Sequence, residues 1–191
     1  MTTTLPAGAR ERILTTAYEL FSRRGIRAVG VDEVIARSQV AKATLYRHFP
    51  SKDDLVLAFL DRREQLWTVG LIERQARARG ETPEGRLLAI FDVLDDWFRS
   101  PEDFDACAFV NVLLEMGADH PLGRACIRHL DTIRDIVAGL AREAGLAEPE
   151  DLARSWHLLM KGAIVSAAEG DTDAALRARD MARDLLARHR K

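Results

Sequence analysis

Apolar residues recur at intervals of three and four along nearly the whole chain, and no sustained stretch alternates apolar with polar in the manner of a half-buried strand. The pattern predicts an all-α protein of about nine helices. The first is expected from Ala9 to Arg24, with Ile13, Leu14, Ala17, Leu20 and Phe21 on one face and Gly25 able to take the left-handed conformation that ends a helix. Two short helices follow, Val31 to Ser38 and Lys42 to His48, joined by the turn Gln39 to Ala41 and stopped by Pro50. Ser51 with Asp54 three residues on resembles a capping box, opening a helix predicted to reach Arg79, about 42 Å away. Thr82 before Pro83, Ser100 before Pro101 with Glu102 and Asp103 behind it, Pro121, Pro149 and Thr172 mark the later starts. Nothing in the pattern suggests a repeat, a low-complexity tract or a flexible linker.

Two short helices joined by a tight turn, within a three-helix N-terminal unit, form the arrangement that places a second helix in the major groove of DNA. A helix about 10 to 12 Å across fits a groove about 12 Å wide. Val34, Ile35, Val40, Leu45 and Phe49 are predicted to face inward, leaving Lys42, Ala43, Thr44, Tyr46, Arg47 and His48 outside. Charge supports this. Residues 1–52 hold nine Lys/Arg against four acids, +5, whereas the rest holds nineteen against twenty-six, −7. Phosphate attraction is thereby concentrated at one end of the chain, although a charged face is more often simply a solvated one. Lys42 and Arg47 are the natural readers of guanine, because charged donors reach O6 and N7 well.

The segment GVDEVIARSQVAKATLYRHFPSKDDL, with AYELFSRRG in the first helix and LYRHFPSK after the second short one, resembles the DNA-binding motif of the TetR family of transcriptional regulators. The likeness is detailed over residues 9 to about 60 and one of architecture beyond. It implies a helix-turn-helix DNA-binding domain over 1–51 and a larger helical ligand-binding and dimerisation domain over 52–191. Residue by residue, it makes Thr44 and Tyr46 groove or phosphate contacts, Lys42 a groove-edge donor, and His48 and Lys52 phosphate contacts. Two positions depart from the family's habit, Gln39 and Ala41, where Gly and Ser are commoner. Ala41 cannot cap the recognition helix with a side-chain oxygen, a loss of about 1 kcal/mol that predicts a frayed first turn in the absence of DNA.

The remainder of the chain is less explicit. Candidates for an effector pocket are the residues that enlarge or interrupt apolar faces, namely Trp67, Phe91, Trp97, Asn111, Glu115, His129 and Trp156, with Phe98, Phe109 and Met116 beside them. Asn111 and Glu115 lie four apart in the apolar run FVNVLLEM, where an uncompensated carboxylate is costly to bury. They read either as a polar anchor in an apolar pocket or as a face that meets solvent or an arginine. The aromatics read as readily as core. Apolar stripes in the last two helices, with Trp156, Leu159, Met160, Ala163 and Ala167, then Leu176 and Leu185, predict a four-helix interface with a two-fold copy, the family's mode of dimerisation.

Cys107 and Cys126, two in 191 residues, are too few for a disulfide framework and, with no secretory pattern at the N-terminus, suggest a reducing cytoplasm. Cys126 and His129 have a chelating spacing but no paired CxxC beside them, so no metal or other cofactor is expected. No apolar run reaches the roughly 18 to 20 residues that a membrane span needs. The expected function is therefore a homodimeric regulator that binds double-stranded DNA at a palindrome and is released by an unknown small molecule, a repressor by the family's habit. An activator of the same fold and a helical protein–protein adaptor are the alternatives. No nucleophile, base and orienting group occur at a recognisable spacing, so an enzyme is not expected.

Overall fold

The computed structural model describes residues 8–100, 102 and 104–190. Its elements are α1 (Ala9–Arg24), α2 (Val31–Ser38), α3 (Lys42–His48), α4 (Lys52–Arg63), a π-helix (Glu64–Glu73), α5 (Arg74–Arg79), α6 (Pro83–Phe98), α7 (Ala108–Met116), α8 (Pro121–Glu143), α9 (Pro149–Ala168) and α10 (Ala174–His189). With 52–79 taken as one helical stretch, this makes nine helices and no strand among the described residues. The chain divides by packing into two units, residues 1–62 with 108–126, and residues 63–107 with 127–191. The first unit thus recruits α4, α7 and the start of α8 to the three N-terminal helices.

In the first unit, α1 buries the predicted stripe of Ile13, Leu14, Ala17, Leu20 and Phe21. It ends where Gly25 takes φ 78° and returns its N–H to the Phe21 carbonyl, a conformation that glycine adopts without strain. Phe59 of α4 lies edge-on to Tyr18 and Phe21, with ring centroids 5.4 and 5.6 Å away. The predicted capping box forms. Asp54 Oδ2 accepts from the Ser51 N–H at 3.0 Å while Ser51 Oγ accepts from the Asp54 N–H at 3.1 Å, so two otherwise orphaned donors at the start of α4 are paired reciprocally.

The second unit is built on α6, which packs against α5, α9 and α10, and on the packing of α9 against α10. Thr82 caps α6 by accepting from the Gly85 N–H at 3.0 Å, with Pro83 in the first turn. Phe91 and Trp156 meet with ring centroids 5.2 Å apart and are both fully buried, each contributing about 1.5 to 3 kcal/mol of apolar burial. Arg77 and Arg86 converge on Glu143 at 3.0 and 3.2 Å. Those pairs are partly solvated and worth only tenths of a kcal/mol each.

Three boundaries differ from expectation. The stretch from Glu64 to Glu73 is wound as a π-helix, which the sequence did not show because apolar periodicity over ten residues does not separate a normal turn from a slightly wider one. Gly70 suits it, since a Cβ there would lie 2.8 Å from the Gln65 carbonyl oxygen. The helix expected from Pro101 begins instead at Ala108; Pro101 and Asp103 lie outside the described residues, as do residues 1–7. The last helix starts at Ala174, not Thr172, after the turn closed by the Ala174 N–H on the Asp171 carbonyl.

Candidate nucleic-acid interface

The recognition element is held from beneath. Leu45 is fully buried and Phe49 and Val34 nearly so, while Ile35 and Val40 are half-buried, so the inner face of α2, the turn and α3 is anchored as predicted. Because Leu45 faces in, its neighbours Ala43, Tyr46 and Arg47 face out, and Lys42 is exposed with them; Thr44 and His48 are half-buried at the flanks. Tyr46 keeps 40 % of its surface accessible, so its ring is available to a partner. Lys42 lies 3.7 Å from Asp32, an exposed pair too weak to withhold the lysine from a phosphate.

The turn is made at a cost. Gln39 adopts φ 53°, ψ 50°, the left-handed region that favours glycine, and its N–H closes on the carbonyls of Ala36 and Ile35. Ala41 precedes α3 without a side-chain cap, and the Thr44 and Leu45 amides close on its own carbonyl at 2.8 and 3.2 Å. The Arg12 Nε donates to the Ser38 carbonyl at 3.4 Å, and Arg10 lies over the Phe49 ring at 5.3 Å, so two arginines of α1 pin both ends of the helix pair.

Lys52 and Glu115 both bond to the loop between α1 and α2. The Lys52 ammonium donates to the Ile26 carbonyl at 2.7 Å, which fixes its direction and leaves two further donors. The Glu115 carboxylate receives the Ile26 N–H at 3.2 Å and the Arg27 N–H at 2.6 Å. Both oxygens are engaged by backbone in the α1–α2 loop, so Glu115 serves the recognition unit and is neither of the two things that FVNVLLEM suggested, a polar anchor in a pocket or a partner of solvent or an arginine. Asn111, one turn earlier, is exposed. Sequence spacing placed the two residues on one face but had no means of showing what a residue 89 positions away would bring to it.

Of the other pocket candidates, Phe109 and Met116 lie in the first unit and the rest in the second. Trp67 and Trp97 meet edge-on at 5.0 Å. Phe91 and Trp156 form the core pair already described. His129 Nδ1 lies 3.0 Å from Glu64 Oε1. Sequence reasoning passed over Arg63, Phe104, Asp105 and the buried His157; the arginine four residues before Trp67 was the signal available. On the last two helices, Trp156, Met160 and Ala163 are turned into the interior and Leu159, Ala167 and Leu185 are half-buried, because the stripe that packs on α6 and α10 takes the first set. The outward set is Leu158, Val165, Leu176 and Met181. A groove of about 380 Å³ lies there, lined by Ser155, Leu158, Leu159, Met181, Asp184, Leu185 and Arg188.

Among the described residues no three His, Cys, Asp or Glu side chains are grouped to hold a metal ion, and no helix is long and apolar enough to cross a membrane. Both cysteines are buried and neither is in a disulfide.

Residues 13–59 match the family described as "Bacterial regulatory proteins, tetR family". A solved TetR-family transcriptional regulator from Streptomyces coelicolor is 32 % identical, with 96 % of each chain covered and a TM-score of 0.83. The transcriptional activator FasR of Mycolicibacterium smegmatis is 38 % identical over 88 residues, 46 % of this chain and 39 % of that protein. A transcriptional repressor of Mycobacterium tuberculosis is 42 % identical over 60 residues, 30 % of this chain and 32 % of that one. The chain thus matches about a third to two-fifths of the length of these last two relatives, and nearly all of the first.

Proposed function

This chain belongs to the TetR family of DNA-binding transcriptional regulators, and on that premise we propose that it represses transcription as a homodimer on a palindromic operator and is released by a small molecule. The functional division we propose is 1–51 for DNA and 52–191 for effector and dimerisation, with no catalytic activity and a cytoplasmic location.

The observation that carries the reading is the face of α3. Lys42, Ala43, Tyr46 and Arg47 are all exposed on a seven-residue helix whose Leu45 is fully buried, a donor-rich surface on a rigid base. Lys42 and Arg47 read base edges, Thr44 and Tyr46 touch groove or phosphate, and His48 and Lys52 bind flanking phosphates. Two such helices on a two-fold axis match two half-sites about one helical turn apart. Leu158, Val165, Leu176 and Met181 supply an apolar face for the second copy, with Leu159, Ala167 and Leu185 at its margin. Repression requires only that the operator be occupied, whereas activation demands a further surface for the transcription machinery. Trp67, Trp97 and His129 are the effector candidates that the second unit retains. A ligand that releases DNA a hundredfold must prefer the non-binding arrangement by about 2.7 kcal/mol.

Selection of bound duplexes from a random pool, in parallel with the Tyr46→Ala variant, tests this. A palindrome enriched by the native chain and lost by the variant is the expected result. Enrichment of a single, non-repeated half-site would overturn the dimer, and identical enrichment by both proteins would overturn the role of α3.

A further inference from the structure

Arg63 is the least expected side chain of the second unit. It is 5 % exposed, yet charged, and its guanidinium lies over the rings of Trp67 at 5.7 Å and Trp97 at 5.8 Å. Asp105 grips it in a fork, Nη1 to Oδ2 at 3.0 Å and Nη2 to Oδ1 at 2.6 Å. The preceding Phe104 puts its ring edge-on to Trp97 and Phe98, at 4.9 and 5.2 Å. Adjacent residues therefore deliver a phenyl ring and a carboxylate to an aromatic box floored by a guanidinium.

This occupation is imperfect in two independent ways. Ala106, next to Asp105, sits at φ 58°, a left-handed conformation that a residue with a Cβ adopts only under constraint. Trp67 Nε1, on a ring that walls the box and is more than nine-tenths buried, has no hydrogen-bond partner among the described residues. Buried donors without partners are rare and call for an explanation. An aryl group with a carboxylate, free of the backbone, could fill the same box without holding Ala106 in that conformation, and carries acceptors that Phe104 lacks. Asp105 is the more accessible member of the ion pair, with 15 % of its side chain exposed against 6 % for Arg63, so it is the partner placed to leave.

We propose that Arg63, Trp67, Trp97 and Phe98 form the receptor for the effector, that the effector is a small aromatic or apolar monocarboxylate, and that Phe104 and Asp105 are a tethered surrogate it displaces. The proposal rests on the reading of the second unit as the effector-binding part. It explains why a fully paired arginine is kept inside an aromatic cluster, where hydrophobic residues of equal volume would be at least as stable.

The full-length protein is titrated with phenylacetate and, separately, with the neutral phenylacetamide, following tryptophan fluorescence. The expected result is saturable binding of the anion, none of the amide at equal concentration, and about tenfold tighter phenylacetate binding by Asp105→Asn, because the internal competitor is weakened. Should Asp105→Asn fail to fold by circular dichroism, Phe104→Ala, which empties the ring's place, must tighten binding instead. Equal binding of anion and amide, or no tightening in a folded variant, overturns the proposal. Operator affinity is measured on the same samples: DNA binding that persists without any phenylacetate binding removes the receptor alone, whereas phenylacetate binding without operator release leaves the receptor standing and removes the release mechanism.

Discussion

The carboxylate of Glu115 accepts the backbone N–H of Arg27 at 2.6 Å, across 88 positions of sequence. Together with the Ile26 amide on its other oxygen, this makes an α7 side chain the closing element of the loop that leads into α2. A charged acceptor on two amides is stronger than a neutral one, and a glutamine would turn its own N–H₂ toward one of them. Glu115→Gln is predicted to destabilise the protein by about 1 to 2 kcal/mol and to weaken operator binding, as measured by urea unfolding and by fluorescence anisotropy on labelled duplex. Unchanged values of both would mean that solvent replaces the carboxylate without loss.

The α2–α3 turn invites improvement. Gln39 occupies a left-handed conformation suited to glycine, and Ala41 stands where a capping oxygen belongs. Gln39→Gly and Ala41→Ser are each predicted to raise stability by about 0.5 to 1 kcal/mol, and the second to slow amide exchange at Thr44 to Tyr46. The urea midpoint and hydrogen exchange check this.

DNA binding is predicted to fall steeply with salt. About six neutralised phosphates in a dimer give a slope of log affinity against log salt near −5, and Lys52→Ala, which removes one cationic phosphate contact in each protomer, should lower its magnitude by nearly 2. Tyr46→Ala should weaken affinity at every salt concentration. A flat salt response would remove the electrostatic footprint on which the reading depends.

On the outer face of α9, Leu158 is 66 % exposed, so replacing it should leave the fold of the single chain intact. Leu158→Glu is predicted to convert dimer to monomer in sedimentation velocity, with a loss of operator affinity of at least tenfold from the missing second half-site. A dimer that persists would place the interface elsewhere.

His157 makes stability depend on pH. Burial pushes its pKa from 6.5 down to about 3, with the charges of Lys161 and Arg134 acting in the same sense and Asp131 opposing them. The folded chain holds the ring neutral while the unfolded chain protonates it below about pH 6.5, so stability is complete above that pH and is lost as pH falls toward 3. The loss approaches about 1.4 kcal/mol per pH unit in the middle of this window. Urea unfolding at pH 7.5 and 5.5 should show a larger drop for the native chain than for His157→Gln. An equal drop would assign the acid sensitivity to other groups.

Helix identity and the inner face of the recognition unit were legible in the sequence because they depend on local periodicity and on caps that lie within four residues of one another, such as Ser51 with Asp54. What Glu115 does was not legible, since its partners are backbone amides, which leave no trace in residue type. The outward and inward stripes of α9 were confused for a related reason: Trp156 and Leu158 are both apolar, and only the packing of α6 and α10 decides which is covered. Arg63 was hidden by its chemistry, an arginine on a helix being ordinarily a solvated one.

Because residues 108–126 complete the unit that carries the recognition helix, the specificity of this protein is not a detachable module. A chimera joined at residue 51 would deprive the loop at Ile26 and Arg27 of its acceptor and expose Phe59's neighbours to a foreign α4. Exchange of operator preference between relatives is expected to succeed only when the donor's α4 and the acidic residue of its α7 travel with the head, so that recombination is constrained to three crossovers instead of one.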